Sequence, residues 1–390
     1  MIKLTTAFPS LNCSMSGQFH VFSQSTLGVL PASRTDSMLS AGPSDSLPPI
    51  KTAEPDYPAI AIVGPTASGK SALSLAIAGR FGGEVVNYDS VQLYRGFDIG
   101  SGKLREEEQK GIPHYLLGIA SAGEILTAGE FRRRAQEVLE SIRARRKLPV
   151  LAGGTGLYLR SLTDGLFDGP GRSEELRERL RKITARHSRN FLHKMLQRLD
   201  PPAAQRIHPR DTQKIIRAIE VCWIAGEAIS QLQSKGRKGI PGFAFVKIGL
   251  DPVRSQLYGR INRRVERIFA EGLIEETRAA LLQLEDRDGP LPPPFEALGY
   301  RQTVALVRGE ETLNKAIRDV QEATRHYAKR QMTWFRKEAG VCWFRGFGDQ
   351  EETIRQVLDY VGSLLSGLAE LGPGKRLPGH AMHFLERENS

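Results

Sequence analysis

Short apolar runs, each followed by a glycine-containing turn and a helical stretch, recur along the chain. Residues 59–63 (Ala-Ile-Ala-Ile-Val) form the first run and are typical of a buried strand. The glycine-rich octapeptide 64–71 (GPTASGKS) follows, and the apolar residues Leu73, Ile77 and Phe81 then lie on one helical face. The pattern predicts a strand, a turn and a helix in that order.

Similar runs further along the chain predict more strands of the same sheet. Residues 84–88 predict a second strand that delivers Asp89 at its carboxyl end, and residues 148–151 predict a third that ends in the glycine turn 153–156. Residues 243–248 predict a further core strand. Because strands and helical stretches alternate, we expect an α/β fold: a P-loop NTPase-like parallel sheet with helices on both faces and a helical insertion domain.

The domain organisation follows from where this alternation stops. Between about residues 168 and 232 the pattern is purely helical, which indicates an insertion into the α/β domain. Residues outside 58–345 are expected to contribute no chemistry. The predicted parts are a disordered N-terminal extension (1–57), an α/β core in two pieces (58–167 and 233–345), the helical insertion (168–232), and a C-terminal helix with a disordered tail (346–390).

The N-terminal extension differs in composition from the rest. Residues 1–50 hold ten serines and five prolines without lasting periodicity, so they bury too little apolar surface to offset the entropy of ordering. Two other interpretations stay open. The segment is acid-free before Asp36, as in an organellar transit peptide, but its single arginine argues against one. Alternatively, translation begins at Met15 or Met38.

Composition and charge narrow the class of protein. The 390 residues carry 55 Lys and Arg against 44 Asp and Glu, and the net charge of +11 indicates a polyanionic partner. Three cysteines lie far apart, which excludes a disulfide framework and fits a reducing compartment. No apolar stretch approaches 18 residues, so we expect no membrane span. A cytoplasmic monomer is the expected state.

The octapeptide 64–71 predicts a phosphate or pyrophosphate site. A strand, GxxxxGKS and a helix in that order are the context that the P-loop motif requires. Its backbone N–H groups point into one concavity, Lys70 reaches the distal phosphate, and the Ser71 hydroxyl can hold Mg²⁺. The strand at 148–151 carries no Asp, so it is not a standard Walker B element.

Asp89 has three possible roles at the end of its strand. A carboxylate beside the P-loop can be a Mg²⁺ ligand, a general base, or the N-cap of a following helix. Spacing alone does not separate these alternatives.

Basic residues recur on helices in the second half of the chain. One predicted helix carries Arg260, Arg263, Arg264 and Arg267. Another carries five more basic residues, interleaved with planar groups that can stack on bases. Solvated helix faces, and Trp334 as a core anchor, are the simpler alternatives. The second set comprises Arg325, Lys329, Arg330, Arg336 and Lys337 with His326, Tyr327 and Trp334.

Six segments in order resemble the tRNA dimethylallyltransferases, also called tRNA isopentenyltransferases. They cover roughly residues 58–345, and five motifs in register with a P-loop make the resemblance specific. The segments are GPTASGKS (64–71), DSVQLYRGFDIGSGK (89–103), GGTGLYLRSL (153–162), RIHPRDTQKIIRAIEV (206–221), GYRQ (299–302) and AKRQMTWFR (328–336).

The resemblance implies a reaction and its participants. A dimethylallyl group passes from dimethylallyl pyrophosphate to N6 of the adenosine 3′-adjacent to the anticodon, with Mg²⁺ as cofactor and the tRNA anticodon arm as partner. The P-loop would hold the pyrophosphate of the donor rather than ATP, and the helical insertion would bind tRNA. The implied general base is Asp89, which the resemblance selects among the three alternatives above.

The resemblance also assigns residues. Catalytic roles fall to Asp89, Thr66 and Arg260, and the metal contact to Ser71. The pyrophosphate loop comprises Gly64, Pro65, Thr66, Ala67, Ser68, Gly69, Lys70 and Ser71. The implied tRNA contacts are Asp89, Ser90, Val91, Gln92, Thr155, Arg177, Gln213, Lys214, Ile215, Ile216, Arg217, Gly299, Tyr300, Arg301, Lys329, Arg330 and Trp334. For Thr155 a plain helix cap is the structural alternative.

Three rival functions share parts of this pattern. An adenylate isopentenyltransferase would alkylate free AMP, but AMP needs neither the basic insertion nor the AKRQMTWFR helix. A P-loop nucleotide kinase would phosphorylate, and the strand 148–151 without an acid counts against it. A tRNA-binding protein with a vestigial P-loop would not need intact Lys70, Ser71 and Asp89.

Overall fold

Six parallel strands form a single sheet in the order β3-β2-β4-β1-β5-β6. The computed structural model describes residues 56–187, 190–284 and 290–370. The predicted N-terminal extension, except for its last two residues, and the predicted tail at 371–390 lie outside these ranges. The strands are β1 (Tyr57–Val63), β2 (Gly83–Asn87), β3 (His114–Tyr115), β4 (Leu148–Ala152), β5 (Phe243–Asp251) and β6 (Val341–Arg345).

Helices cover both faces of this sheet, as the sequence predicted, so the α/β fold class is confirmed. Two short 3₁₀ helices lie at Glu106–Gln109 and Pro293–Glu296. The α-helices are α1 (Lys70–Phe81), α2 (Ala128–Ala144), α3 (Gly156–Thr163), α4 (Glu174–Arg186), α5 (Phe191–Leu199), α6 (Pro201–Arg206), α7 (Thr212–Ala225), α8 (Ile229–Ser234), α9 (Arg254–Ala270), α10 (Leu273–Leu282), α11 (Tyr300–Val307), α12 (Leu313–Phe335) and α13 (Glu351–Glu370). Among these described helices, none is both long and apolar enough to cross a membrane.

The central strand β1 is buried on both faces, and its residues alternate between two hydrophobic clusters. Ala59 and Ala61 face a cluster built with α2 and α3, whereas Ile60 and Ile62 face a cluster built with α1 and α13. A strand that is covered on both faces reads as a continuous apolar run, which is why residues 59–63 were recognisable in the sequence.

The five helices α4–α8 have a hydrophobic cluster of their own, formed by apolar residues such as Leu180, Leu196 and Ile219. Inside this segment Glu220 is fully buried. Its carboxylate accepts hydrogen bonds from Arg177 at 2.8 and 2.9 Å and from Arg217 at 2.6 Å. The helical content between residues 168 and 232 is as predicted, and its standing as a separate tRNA-binding insertion stays a prediction.

We expect Glu220→Gln to lower the free energy of unfolding by about 3 kcal/mol, because removing one partner of a buried ion pair leaves the other charge uncompensated. Burial opposes the charge of Glu220, but hydrogen bonds from Arg177 and Arg217 outweigh it and lower the pKa of Glu220 to about 2. The contribution is therefore full above the unfolded pKa of about 4.3 and is lost as pH falls toward 2.

Urea unfolding at pH 7 and pH 3 measures both effects. The control is Glu178→Gln, since Glu178 is about half exposed in its ion pairs with Arg181 and Lys182 on the surface of α4, where such pairs contribute less than about 1 kcal/mol. Equal losses in the two variants would contradict the buried role of Glu220.

Candidate active site

A cavity of about 1030 Å³ opens at the carboxyl ends of β1, β2 and β4, where ligands bind in open α/β sheets. The P-loop forms one wall, Asp89 lies beside it, and α9 and α12 contribute side chains from the opposite side. The lining residues used below are Lys70, Asp89, Arg260, Arg264, Gln331 and Asp349.

The P-loop follows β1 directly and turns through three residues with positive φ. Gly64 has φ +149° and Gly69 has φ +87°, and Ala67 adopts φ +62°, which is uncommon for a residue with a side chain. A Cβ at Gly69 would lie 2.8 Å from the backbone nitrogens of Gly348 and Asp349. Glycine is therefore required there both by conformation and by the close approach of the loop before α13.

The interior of the P-loop fits a phosphate group. Lys70 Nζ donates to the carbonyl oxygens of Gly64 at 3.0 Å and Pro65 at 2.7 Å. The Ser68 hydroxyl is buried and has no hydrogen-bond partner among the described residues. Burial lowers the pKa of Lys70 to about 7, although Asp89 opposes this shift and Arg264 adds to it. A partly buried amine and an unpartnered hydroxyl are groups that an oxyanion would satisfy.

Asp89 lies at the end of β2, where the strand turns into the site. Its backbone N–H donates to Asn87 Oδ1 at 2.8 Å, and its own Oδ1 accepts from the Val91 N–H at 3.0 Å. Residues 90–93 form a turn rather than a helix, so the helix N-cap alternative is wrong. The second oxygen, Oδ2, faces Gly154, whose Cβ position would be 2.9 Å away. One carboxylate oxygen thus holds the turn and the other faces the cavity.

Gln331 of α12 joins the P-loop to the glycine turn after β4. Its Oε1 accepts from the Thr66 N–H at 2.8 Å, and its Nε2 donates to the Gly154 carbonyl at 3.0 Å. Tyr327, one turn earlier, donates to the same carbonyl at 3.3 Å. The predicted catalytic residue Thr66 is therefore fixed by a side chain 265 residues away.

The arginines of α9 face the P-loop. Arg260 Nη1 lies 2.7 Å from both carboxylate oxygens of Asp349, and its guanidinium lies 3.7 Å from the centre of the Phe347 ring. Arg264, one turn later, interacts electrostatically with Asp89, which attracts it, and with Lys70, which repels it. Burial lowers the pKa of Arg264, with Asp89 opposing that shift.

Sequence reasoning missed two features of this site. Gln331 was part of a segment predicted to contact tRNA, but its bonds to Thr66 and Gly154 were not predicted, and Asp349 lies beyond residue 345, where no chemistry was expected. Phe347, Gly348 and Asp349 nevertheless contact the P-loop or Arg260, so this segment helps to build the site. No local signal marks Asp349, since its partner Arg260 is 89 residues earlier.

Comparison with known proteins identifies the family. The family model described as IPP transferase matches residues 92–338. The chain is 49% identical over 300 residues to the tRNA dimethylallyltransferase of Koribacter versatilis, covering 77% of this chain and 96% of that one. It is 46% identical over 310 residues to that of Solibacter usitatus, covering 79% and 99%. The chain belongs to the IPP transferase family.

Solved structures of the IPP transferase family share the fold. The full-length tRNA isopentenylpyrophosphate transferase from Bacillus halodurans superposes with a TM-score of 0.59 and 36% identity, covering 81% of this chain and 99% of that one. A eukaryotic dimethylallyltransferase acting on tRNA superposes with a TM-score of 0.67 at 23% identity, which shows the fold alone. The resemblance stated from sequence motifs is therefore confirmed.

Three of the predicted tRNA contacts of this IPP transferase lie next to Asp89 or in the neighbouring glycine turn, and of these Gln92 lines the cavity. The Thr155 hydroxyl accepts from the Ser90 N–H at 3.0 Å and donates to Ser90 Oγ at 3.1 Å. Thr155 occupies the N-cap position of α3, as the helix-cap alternative supposed, but its side chain makes no cap hydrogen bond there. Gln92 Nε2 lies 3.3 Å from the carbonyl oxygens of Ser101 and Gly102.

A second, smaller cavity of about 610 Å³ lies on the outer side of α12. Its main feature is the Arg160 guanidinium, which lies 4.4 Å from the centre of the Trp334 ring. Trp334 is 37% exposed, whereas the neighbouring Phe335 is fully buried, so Phe335 rather than Trp334 anchors the helix. We call this surface the basic–aromatic face; it comprises Arg160, His326, Lys329, Arg330, Thr333, Trp334 and Lys337.

Other predicted tRNA contacts are buried. Ile215, Ile216 and Tyr300 are at most 2% exposed, so a contact there would have to come from the backbone. Arg177 is 8% exposed and occupied by Glu220. Gly299 is buried as well, whereas Gln213, Lys214, Arg217 and Arg301 are at least partly exposed.

Proposed function

We propose that this IPP transferase moves a dimethylallyl group from dimethylallyl pyrophosphate to N6 of the adenosine 3′-adjacent to the anticodon of tRNA, forming N6-(dimethylallyl)adenosine. The single observation that carries the proposal is the position of Asp89. Asp89 lines a cavity together with the P-loop and the predicted tRNA contact Gln92, and its second carboxylate oxygen is directed toward Gly154 of the same lining. Relatives at 40–49% identity are named tRNA dimethylallyltransferases.

The donor would bind through its pyrophosphate. Lys70, the Ser68 hydroxyl and the P-loop N–H groups would neutralise the charge that develops on the leaving group as the C1–O bond breaks. Arg260 and Arg264 approach the same region from α9. The Ser71 hydroxyl, together with pyrophosphate oxygens and waters, suits Mg²⁺, which usually binds through few protein ligands and substrate phosphates.

The acceptor would be an unstacked adenosine. A stacked base hides its N6, so the target must be turned out of the anticodon loop to reach the cavity. As the bond between N6 and C1 forms, Asp89 Oδ2 would accept the proton that N6 loses, and pyrophosphate would leave with the C1–O electron pair. Thr66, whose backbone N–H is bound by Gln331, would lie beside the leaving group.

Two rival functions fit the structure less well. Free AMP would leave the basic–aromatic face without a ligand, whereas a tRNA arm carries phosphates and unstacked bases for it. A nucleotide kinase would need an acidic residue for its metal at the end of β4, where this chain has Ala152 and then Gly153. We also propose that the enzyme works as a monomer in the cytoplasm, where unmodified tRNA is available.

One assay separates these functions. The full chain is incubated with radiolabelled dimethylallyl pyrophosphate and Mg²⁺, or EDTA, with unmodified tRNA or with AMP as acceptor. Label in the adenosine next to the anticodon, and its loss in EDTA, is the expected result. Label in AMP alone would establish the adenylate enzyme, and ATP consumption without label would establish the kinase.

Replacing Lys329 and Arg330 together by Gln should weaken tRNA binding and flatten its salt dependence. Both side chains are exposed on the basic–aromatic face, and each phosphate contact contributes about 0.9 to the slope of log affinity against log salt. In the variant the magnitude of this slope should therefore be smaller by about two, while pyrophosphate affinity is unchanged. Arg355→Gln on α13, which removes an exposed charge outside both cavities, is the control. An unchanged slope would remove these residues from the tRNA contacts.

A further inference from the structure

Glu276 of α10 accepts four hydrogen bonds, three of them from a loop that lines the cavity. Its Oε2 accepts from the N–H groups of Asp98 and Ile99, both at 2.8 Å. Its Oε1 accepts from the Gly100 N–H at 3.1 Å and from the Tyr300 hydroxyl at 2.6 Å. Three consecutive backbone donors that converge on one carboxylate form an anion-binding nest. We call residues 97–103 the wall loop.

The other side of the wall loop faces two side chains of the site. The Ser101 carbonyl accepts from Arg264 Nη2 at 3.1 Å and lies 3.3 Å from Gln92 Nε2. Gly102, at φ +64°, has no room for a side chain, because a Cβ there would collide with the Arg264 guanidinium. The orientation of Arg264 in the cavity therefore depends on the position of this loop.

We propose that Glu276 is a positioning residue that holds the wall loop and, through the Ser101 carbonyl, aims the Arg264 guanidinium at the pyrophosphate. The proposal rests on the proposed function, because it assigns Arg264 to the leaving group of that reaction. Glu276 does not itself touch a reacting atom. Its four acceptor contacts require a carboxylate, since an amide would place an NH₂ group against the backbone donors.

Tyr300 also helps to hold the wall loop in place. Its ring packs edge-on against Phe97 at 4.8 Å, and a Cβ at Gly100 would lie 2.6 Å from the ring. Burial raises the pKa of the Tyr300 hydroxyl and Glu276 raises it further, so the hydroxyl remains a donor to the carboxylate. These contacts explain why Tyr300, which the family resemblance assigned to the tRNA contacts, is buried in the structure.

The test compares Glu276→Gln with Glu275→Gln. Glu275 is the exposed neighbour on α10 and takes no part in the nest. We expect Glu276→Gln to lower kcat about 10- to 100-fold and to weaken inorganic pyrophosphate binding about tenfold, since small misplacements of a catalytic group have effects of this size. Glu275→Gln should stay within twofold of the unmodified chain in both measurements.

A double variant distinguishes positioning from general damage. In an Arg264→Ala background, adding Glu276→Gln should change pyrophosphate affinity less than twofold, because the group it positions is already absent. An equal tenfold loss in both backgrounds would overturn the proposal, and so would unchanged pyrophosphate affinity in Glu276→Gln.

Two further measurements keep the test decisive. If Glu276→Gln does not fold, Tyr300→Phe removes one of the four donors and keeps the ring. We expect this variant to bind pyrophosphate three- to tenfold more weakly, and we expect the substitution to have no such effect in the Arg264→Ala background. An unchanged affinity in Tyr300→Phe would overturn the proposal. Pyrophosphate titration needs no turnover. If the chain transfers no prenyl group, the proposed function fails while the titrations still decide the role of Glu276.

Discussion

Asp89→Asn is expected to lower turnover at least about 100-fold while tRNA affinity stays within a few-fold. Asparagine keeps the shape of the side chain, and its carbonyl oxygen can still accept from the Val91 N–H, so the turn after β2 is preserved. The amide cannot take a proton from N6, and general-base catalysis contributes about 10²- to 10⁴-fold. Single-turnover transfer with saturating tRNA and donor measures the loss.

The control for this prediction is Asp251→Asn. Asp251 also stands at the carboxyl end of a strand, β5, but it pairs with Arg336 on the surface at 3.2 Å and does not line the cavity. Its variant should turn over at the normal rate. If Asp89→Asn instead loses tRNA binding in proportion to turnover, Asp89 is chiefly a contact residue and the general base must be sought elsewhere.

Local patterns were enough to predict four of the six strands, β1, β2, β4 and β5, because each of these is an apolar run flanked by turn signals, whereas β6 (Val341–Arg345) was not predicted. The strand β3 escaped prediction: it has two residues, His114 and Tyr115, and becomes a strand by pairing with Val85 and Val86 of β2. Such a strand is defined by its partner and leaves no periodicity of its own.

The P-loop and Asp89 were predictable for a similar reason, since both lie immediately after strands and the carboxyl ends of parallel strands lie at the same edge of the sheet. The groups that orient them were not. Gln331 meets Thr66 across 265 residues, and Asp349 meets Arg260 across 89. Arg177 and Lys329 are both basic helix residues in the sequence. In the structure they differ in burial, because Arg177 is buried in an ion pair with Glu220 whereas Lys329 is exposed on the surface.

Lys70→Met is expected to weaken pyrophosphate binding about 100-fold, because a charge-assisted hydrogen bond to a buried anion contributes up to about 3 kcal/mol. The effect should depend on pH. The pKa of Lys70 is about 7 in the chain without donor, lowered mainly by burial, and the bound anion raises it. Affinity is therefore greatest below pH 7 and falls as pH rises above it, because binding above pH 7 requires the uptake of a proton.

Calorimetric titration with inorganic pyrophosphate at pH 8, in two buffers of different ionisation enthalpy, measures that proton directly. The unmodified chain should take up close to one proton more per pyrophosphate than the Lys70→Met variant. Lys235→Met, which changes an exposed lysine paired with Glu227, should behave as the unmodified chain does. Equal proton uptake in all three proteins would mean that Lys70 is already charged before the donor arrives, and the pH dependence of binding would then belong to the pyrophosphate alone.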